Sequence, residues 1–361
     1  VPDYFIGSIP WLKTQEIRDG WVYETEEHIS QKGLDNSSAK LLPPNTVMMA
    51  MYGATVGRLA LLAREMTCNQ AACAMIVDPN AADYRYLYYT LLNDRDRIVD
   101  RANGAAQQNL SARTIRNLQY RFPPIKEQRA IAATLGALDD KIESNRRTAF
   151  LISDLLDTYS EKFGAGLPTV PLGDIATPVK KSLNPSNLGN TQVDHFSLPA
   201  FDRDARPERV AASSIMSNKL RVPKQAILLS RLNPRFNRTW WASADADAPA
   251  LASTEFFVLT AEDEQRLAAV WLALRDPFFR GEMPKRVTGT SGSHQRVKPD
   301  DVLAIEVPDF TSAPTVLKEA ALAMLKRSEN LRAESARLSA LRDALLPELL
   351  SGRLRAPVGT T

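Results

Sequence analysis

The sequence predicts an α+β fold with a pseudo-twofold repeat: two similar globular α/β units separated by two long helices that pair as an antiparallel coiled coil. Three observations carry this reading. A segment of the first half recurs in the second, each copy is followed by a long heptad pattern, and each heptad stripe needs an apolar partner that the other can supply.

The repeat is visible at two places. Residues 44–49, Pro-Asn-Thr-Val-Met-Met, resemble residues 223–228, Pro-Lys-Gln-Ala-Ile-Leu: a turn proline, two polar residues, then an apolar strand-like run. Residues 104–123 match residues 289–308 at constant offset, and both stretches end on alternation that predicts a half-buried strand stopped by proline, at 118–123 and 303–308. The second unit opens with residues 170–176, roughly two dozen residues before His195-Phe196-Ser197, whereas the first begins almost at its counterpart, Gly7-Ser8-Ile9. The expectation is a chain that starts inside its first repeat.

The helices follow. Ile131, Leu135, Leu138, Ile142, Asn145, Ala149, Ile152, Leu156, Tyr159 and Phe163 step by fours and threes, which is one seam of a coiled coil. Leu317, Met324, Leu331, Leu338 and Leu345 recur every seven residues, with Ala321, Leu341 and Leu349 widening the stripe and Ser328, Ser335 and Arg342 interrupting it. Gly164, Gly166 and Pro168 end the first helix; Pro347 and Gly352 mark the end of the second. The predicted order is unit 1–122, helix 123–164, unit 165–308, helix 309–352 and tail 353–361. Asn145 is expected to fix the register of the pair, and Asp139-Asp140-Lys141, between two seam residues, to face solvent.

The 361 residues carry 45 Lys plus Arg against 42 Asp plus Glu, so a formal charge of +3 excludes a polycation and confines any nucleic-acid surface to local patches. Two cysteines, Cys68 and Cys73, make neither a disulfide framework nor a zinc site, which reads as a reduced, cytoplasmic chain. The uncharged run 41–57 is broken by Pro43, Pro44 and Gly53, so it predicts no membrane span.

Charge is segregated. Nine Lys or Arg lie between Arg203 and Arg238 against Asp204 and Glu208, while residues 239–264 hold six acids and no base. Lys285, Arg286, Arg296 and Lys298 stand in an acid-free stretch with Thr290, Ser291, His294 and Gln295 among glycines, and the matching stretch of the first unit holds Gln107, Gln108, Asn109 and three arginines, again without an acid. That composition suits a loop that follows phosphates and reads base edges. Arg231, Arg235, Arg238, Lys285 and Arg286 are assigned mainly to phosphates. Gln295 and Arg296, with His294, are assigned to base edges, as are Gln107, Gln108 and Asn109 in the first unit. The Gly-rich turn 52–58, with Tyr52, Thr55 and Arg58, is a second phosphate candidate.

Enzymatic motifs are weak. Asn233-Pro234-Arg235-Phe236 resembles the Asn-Pro-Pro-aromatic element of amino-methyltransferases, but Arg replaces the second proline and no Gly-rich cofactor turn precedes it. There is no phosphate-binding P-loop, and His28, His195 and His294 form no metal motif.

Residues 123–131, Pro-Pro-Ile-Lys-Glu-Gln-Arg-Ala-Ile, followed by Leu138-Asp139-Asp140-Lys141-Ile142, and residues 345–353, Leu-Leu-Pro-Glu-Leu-Leu-Ser-Gly-Arg, resemble the two central-helix signatures of the specificity subunit of type I restriction-modification systems. The 52–58 turn, the Asn69-Gln70 step and the 170–176 opening are similar too, and the resemblance extends over nearly the whole chain. It implies that each globular unit is a target-recognition domain reading one half of a bipartite site in double-stranded DNA, and that the helices set the spacing. Two modification subunits using S-adenosylmethionine would dock on the chain, with restriction subunits, ATP and Mg as further partners. The chain itself would be non-catalytic, bind no cofactor and touch no membrane. The alternatives are a coiled-coil scaffold without DNA function, a specificity-like subunit of another methyltransferase system, and a chain that is itself a methyltransferase.

Overall fold

An apolar run in which every side chain is buried marks a strand covered on both faces, and each half of this chain is built around one. The computed structural model describes residues 2–100, 109–245, 247–288 and 295–357. It divides into two units, residues 1–143 with 336–361, and residues 144–335.

In the first unit Val47–Ala50 is central in the sheet order Gly20–Val22, Leu59–Leu62, Val47–Ala50, Ala72–Met75, antiparallel to both neighbours, with Val47 opposite Leu61 and Met75. Successive residues of a strand face opposite ways. Val47 and Met49 accordingly join a core with Tyr86, Tyr89, Ile131, Leu135, Leu346 and Leu349, whereas Met48 and Ala50 join Leu12, Ile17, Leu62 and Met66. Ile9–Leu12 pairs parallel with Thr67–Cys68 on that second side.

The second unit repeats the plan. Gln225–Ser230 is central in the order Thr239–Ser243, Gln225–Ser230, Phe256–Thr260, Thr177–Pro178. Ile227 and Leu229 face a helix, Glu264–Arg275, whose residues from Leu267 to Leu274 are all buried; Ala226 and Leu228 face Phe196, Ala200 and Val222. Gln192–Phe196 pairs parallel with Ala250–Ala252, as Ile9–Leu12 does with Thr67–Cys68. The sequence repeat at 44–49 and 223–228 thus falls on the two central strands.

The long helices are Ile125–Gly164 and Thr315–Leu350. Within the first unit Ile131 and Leu135 share a core with Leu346 and Leu349, and Asp139 meets Arg342; within the second, Asn145 meets Glu334 and Leu156 shares a core with Leu325 and Ala321. The pairing is antiparallel in both. On the first helix Ile131, Leu135, Ile142, Asn145, Ala149 and Leu156 are buried, Leu138 and Ile152 partly so, while Phe163 is 41 % exposed and Ser160 and Gly164 are buried in its place. A straight helix drifts against a 3.5-residue repeat, which explains the handover.

Five expectations change. On the second helix Leu331 is buried, but Leu317, Met324, Leu338 and Leu345 are only half-buried; Ala321, Leu325, Ser328, Leu346 and Leu349 lie deeper. The polar residues read as interruptions, Ser328, Ser335 and Arg342, stand seven apart in line with Ala321 and Leu349, so they form the other edge of the same seam. Asp139 does not face solvent: its Oδ2 accepts from Tyr89 Oη at 2.6 Å and its Oδ1 from Arg342 Nη1 at 2.7 Å. Pro347 lies inside the last helical turn, and the chain leaves the helix at Gly352, φ +75°. Residues 118–123 form no strand, because their counterpart Glu306–Pro308 pairs with Thr169–Pro171 and the described first unit has nothing in that place.

Ion pairs bind each unit's sheet-covering helix to the first long helix. Arg85 donates to both oxygens of Asp140 at 3.0 and 3.1 Å across Gly136, where a built Cβ would stand 2.1 Å from Arg85 Nη1. Asp157 receives Arg275 and Arg280, and Ser160 Oγ donates to Leu272 O at 2.7 Å.

Asn145, 2 % exposed, donates to Glu334 Oε2 at 2.9 Å. A polar seam residue sets register at a cost in stability, so Asn145→Leu is expected to raise the melting temperature, and a clear drop in thermal unfolding would refute the register role. Elsewhere in the second unit Ser243 Oγ lies 2.8 Å from both Gln225 Oε1 and Glu329 Oε2. Its single proton cannot serve both. Burial raises the pKa of Glu329 above the ordinary carboxylate value, and a protonated Glu329 can donate to the serine. A raised folded-state pKa means stability present at low pH and lost as pH rises through it. Glu329→Gln is therefore expected to raise the melting temperature at pH 8 and to change it little near pH 4.

Candidate nucleic-acid interface

A central strand must reverse to reach its antiparallel neighbour, and both units do so with the same short turn. Val47–Ala50 leads through the 3₁₀ turn Gly53–Thr55 to Leu59–Leu62; Gln225–Ser230 leads through Pro234–Phe236 to Thr239–Ser243. The loops close identically, Ala50 N to Arg58 O at 2.9 Å and Ser230 N to Arg238 O at 2.9 Å. Both need left-handed backbone at two corners, supplied by Gly53 (φ +69°) and Gly57 (φ +77°) in one, and by Asn233 (φ +48°) and Asn237 (φ +41°) in the other. Gly and Asn are the residues that adopt this conformation at least cost. The turns are therefore structural copies, with Arg58 equivalent to Arg238.

The second predicted element docks on the first. Leu110 N donates to Met51 O at 2.8 Å and Tyr52 bridges Asn109; Val297 N donates to Arg231 O at 3.2 Å and Leu232 bridges Arg296. In the second unit Asn233 N also donates to Gln295 O at 2.9 Å. Turn and loop, 57 residues apart or more in sequence, form one surface in each unit. Gln107, Gln108, Thr290, Ser291 and His294 lie outside the described residues.

The cations of that surface differ in how free they are. Arg58 and Arg235 are exposed and make no ion pair among the described residues, and Arg235 lies 4.7 Å over the Phe236 ring. Arg238 is held by both oxygens of Asp202 at 2.6 and 2.9 Å, and Arg296 by Glu255 at 2.8 and 2.9 Å. Lys285 donates to Glu282 at 2.6 Å, and Arg286 to the carbonyl of Asp301 at 2.9 Å. Arg231 lies over Phe257, its Nε buried without a partner among the described residues. The two basic stretches are thus less uncompensated than their sequences suggest: Asp202, just outside the 203–238 run, holds Arg238, and Glu255, from the acidic stretch, holds Arg296. Thr55 is half-buried and its Oγ1 donates to Tyr52 O at 3.4 Å. Phe236, 55 % exposed between Arg235 and Arg238, enters the sequence reading only through the weak amino-methyltransferase element and not as part of this surface; an aromatic flanked by two arginines at a turn was the available signal.

Among the described residues no group of His, Cys, Asp and Glu could hold a metal ion, and no helix is long and apolar enough to cross a membrane. Burial raises the thiol pKa of Cys68 to about 11 and that of Cys73 less far.

Comparison with known proteins matches residues 3–149 to the type I restriction modification DNA specificity domain. The MjaIX type I restriction enzyme specificity subunit of Methanocaldococcus jannaschii is 23 % identical over 151 residues, 41 % of this chain and 35 % of that protein. A type I restriction enzyme specificity subunit of Escherichia coli is 25 % identical over 139 residues, 37 % of this chain and 34 % of that one. The match thus spans about a third of these relatives. The crystal structure of a type I restriction-modification system S subunit from M. genitalium, 16 % identical, covers 100 % of this chain and 92 % of its own with a TM-score of 0.58, so the two share a fold. Through residues 3–149, then, the chain is similar to the type I restriction modification DNA specificity domain.

Proposed function

We propose that the chain is the sequence-specific DNA-recognition subunit of a type I restriction-modification complex. Each unit reads one half of a bipartite site in double-stranded DNA, and the paired helices set the spacing of the halves. The observation that supports this best is the duplicated surface, in which a turn with an exposed or stacked arginine is closed by a main-chain hydrogen bond onto an acid-poor, amide-bearing loop. Such a surface can hold phosphate and present side chains to base edges.

Catalysis then belongs to partners. Two modification subunits carrying S-adenosylmethionine dock on the helices, where Phe150, Leu151 and Leu155 stand 72, 63 and 43 % exposed on the first, and restriction subunits supply ATP- and Mg-dependent translocation. The complex works in the cytoplasm.

Contacts sort by freedom. Arg235, free of any acid among the described residues, is assigned to phosphate in preference to Lys285, which Glu282 holds. Arg235→Ala is expected to weaken cognate and scrambled duplexes alike and to reduce the salt slope by about one unit, whereas Gln295→Ala should cost about 1–3 kcal/mol on the cognate duplex only. Titrations of the assembled methyltransferase at several salt concentrations decide between them; equal weakening of both duplexes by Gln295→Ala removes it from base readout. The modular reading is tested by exchanging residues 168–308 for the equivalent segment of a relative. One half of the methylated sequence is expected to change. A change in both halves, or in neither, contradicts it.

A further inference from the structure

A cavity of about 130 Å³ lies inside the second unit. Four aromatic residues, Phe201, Trp240, Trp241 and Trp271, stand in its walls, and two arginines, Arg275 and Arg332, reach it from different helices. The arginines are not equivalent. Arg275 is satisfied: both oxygens of Asp157 and the Oγ of Ser153 accept from it. Arg332 is partly buried yet makes no hydrogen bond and no ion pair among the described residues; burial works against its charge and outweighs the favourable field of Glu329 and Asp204.

A guanidinium has five donors in a planar fork that matches a carboxylate. Those of Arg332 have no protein partner among the described residues and are open to a ligand in the hollow. The volume is close to that of the roughly 150 Å³ cavity known to accept benzene, and water alone would leave three indole walls without apolar contact. We propose that this cavity is a binding site for a small aromatic carboxylate, its ring against the tryptophans and its carboxylate on Arg332. None of the residues assigned to DNA lines it. The ligand would bridge the two long helices and the sheet of the second unit, all of which contribute to the wall.

Benzoate is the probe, titrated into the full chain and followed by thermal unfolding and by tryptophan emission, which the indole walls make a local reporter. Benzoate is expected to raise the melting temperature and alter the emission saturably, with chloride and acetate far weaker at equal concentration. Arg332→Met should weaken benzoate binding by about tenfold or more, the loss of a charged hydrogen bond. Because Arg332 has no protein partner to lose, Arg332→Met should melt no lower than the parent chain without benzoate; Arg332→Gln gives the same comparison should the methionine variant fold poorly. Absence of a saturable benzoate effect, an equal effect of chloride, or undiminished binding by both variants overturns the proposal.

Discussion

One carboxylate holds the first unit together. Asp139 accepts one hydrogen bond from the helix that covers the sheet, through Tyr89, and another from the last long helix, through Arg342. A 40-residue amphipathic helix has no stability of its own to spare in water and draws it from tertiary contact. Asp139 is where three helices supply that contact in a single hydrogen-bonded group. Burial pushes the Tyr89 phenol far above its usual range, so it stays a donor at any working pH. In the second unit the same helix offers Asp157 to Arg275 and Arg280, again fastening the sheet-covering helix to it. The apolar seam supplies most of the driving force, and these charged contacts choose which face of which helix it meets.

The glycine under Arg85 shows how local cost serves that choice. Gly136 in the middle of a helix loses about 1 kcal/mol relative to alanine, yet any side chain there would collide with the guanidinium that reaches over it to Asp140. Helix propensity gives way to the docking of a neighbouring helix.

Much of this was legible in the residues. Period seven exposed both long helices, and alternation with a turn proline located the two central strands, because burial leaves a spacing signature that one sequence suffices to display. Polar residues in the seam were harder. Arg342 and Ser328 read as breaks, and Asp139 as solvated, since hydrogen bonds to partners distant in sequence leave no periodic trace. The strand expected at 118–123 failed for a related reason: alternation describes one chain's faces and says nothing of whether a partner is present. At the interface, the equivalence of the two turns was hidden by chemistry, Gly53 and Gly57 in one against Asn233 and Asn237 in the other, although the backbone demand is the same. Acid-free runs gave the position of the cations but not their pairing, because Asp202 and Glu255 approach them only in three dimensions.

The anchoring of the loops has an evolutionary corollary. Leu110 and Val297 contribute a backbone N–H, and Met51 and Arg231 a carbonyl, so the clasp is blind to side chains and excludes only proline at the donor positions. The residues just before each donor can be exchanged without unfastening it. A clasp of this kind tolerates new loop sequences without a change of scaffold, so side chains free to vary and a backbone geometry that must hold lie side by side in the same few ångströms.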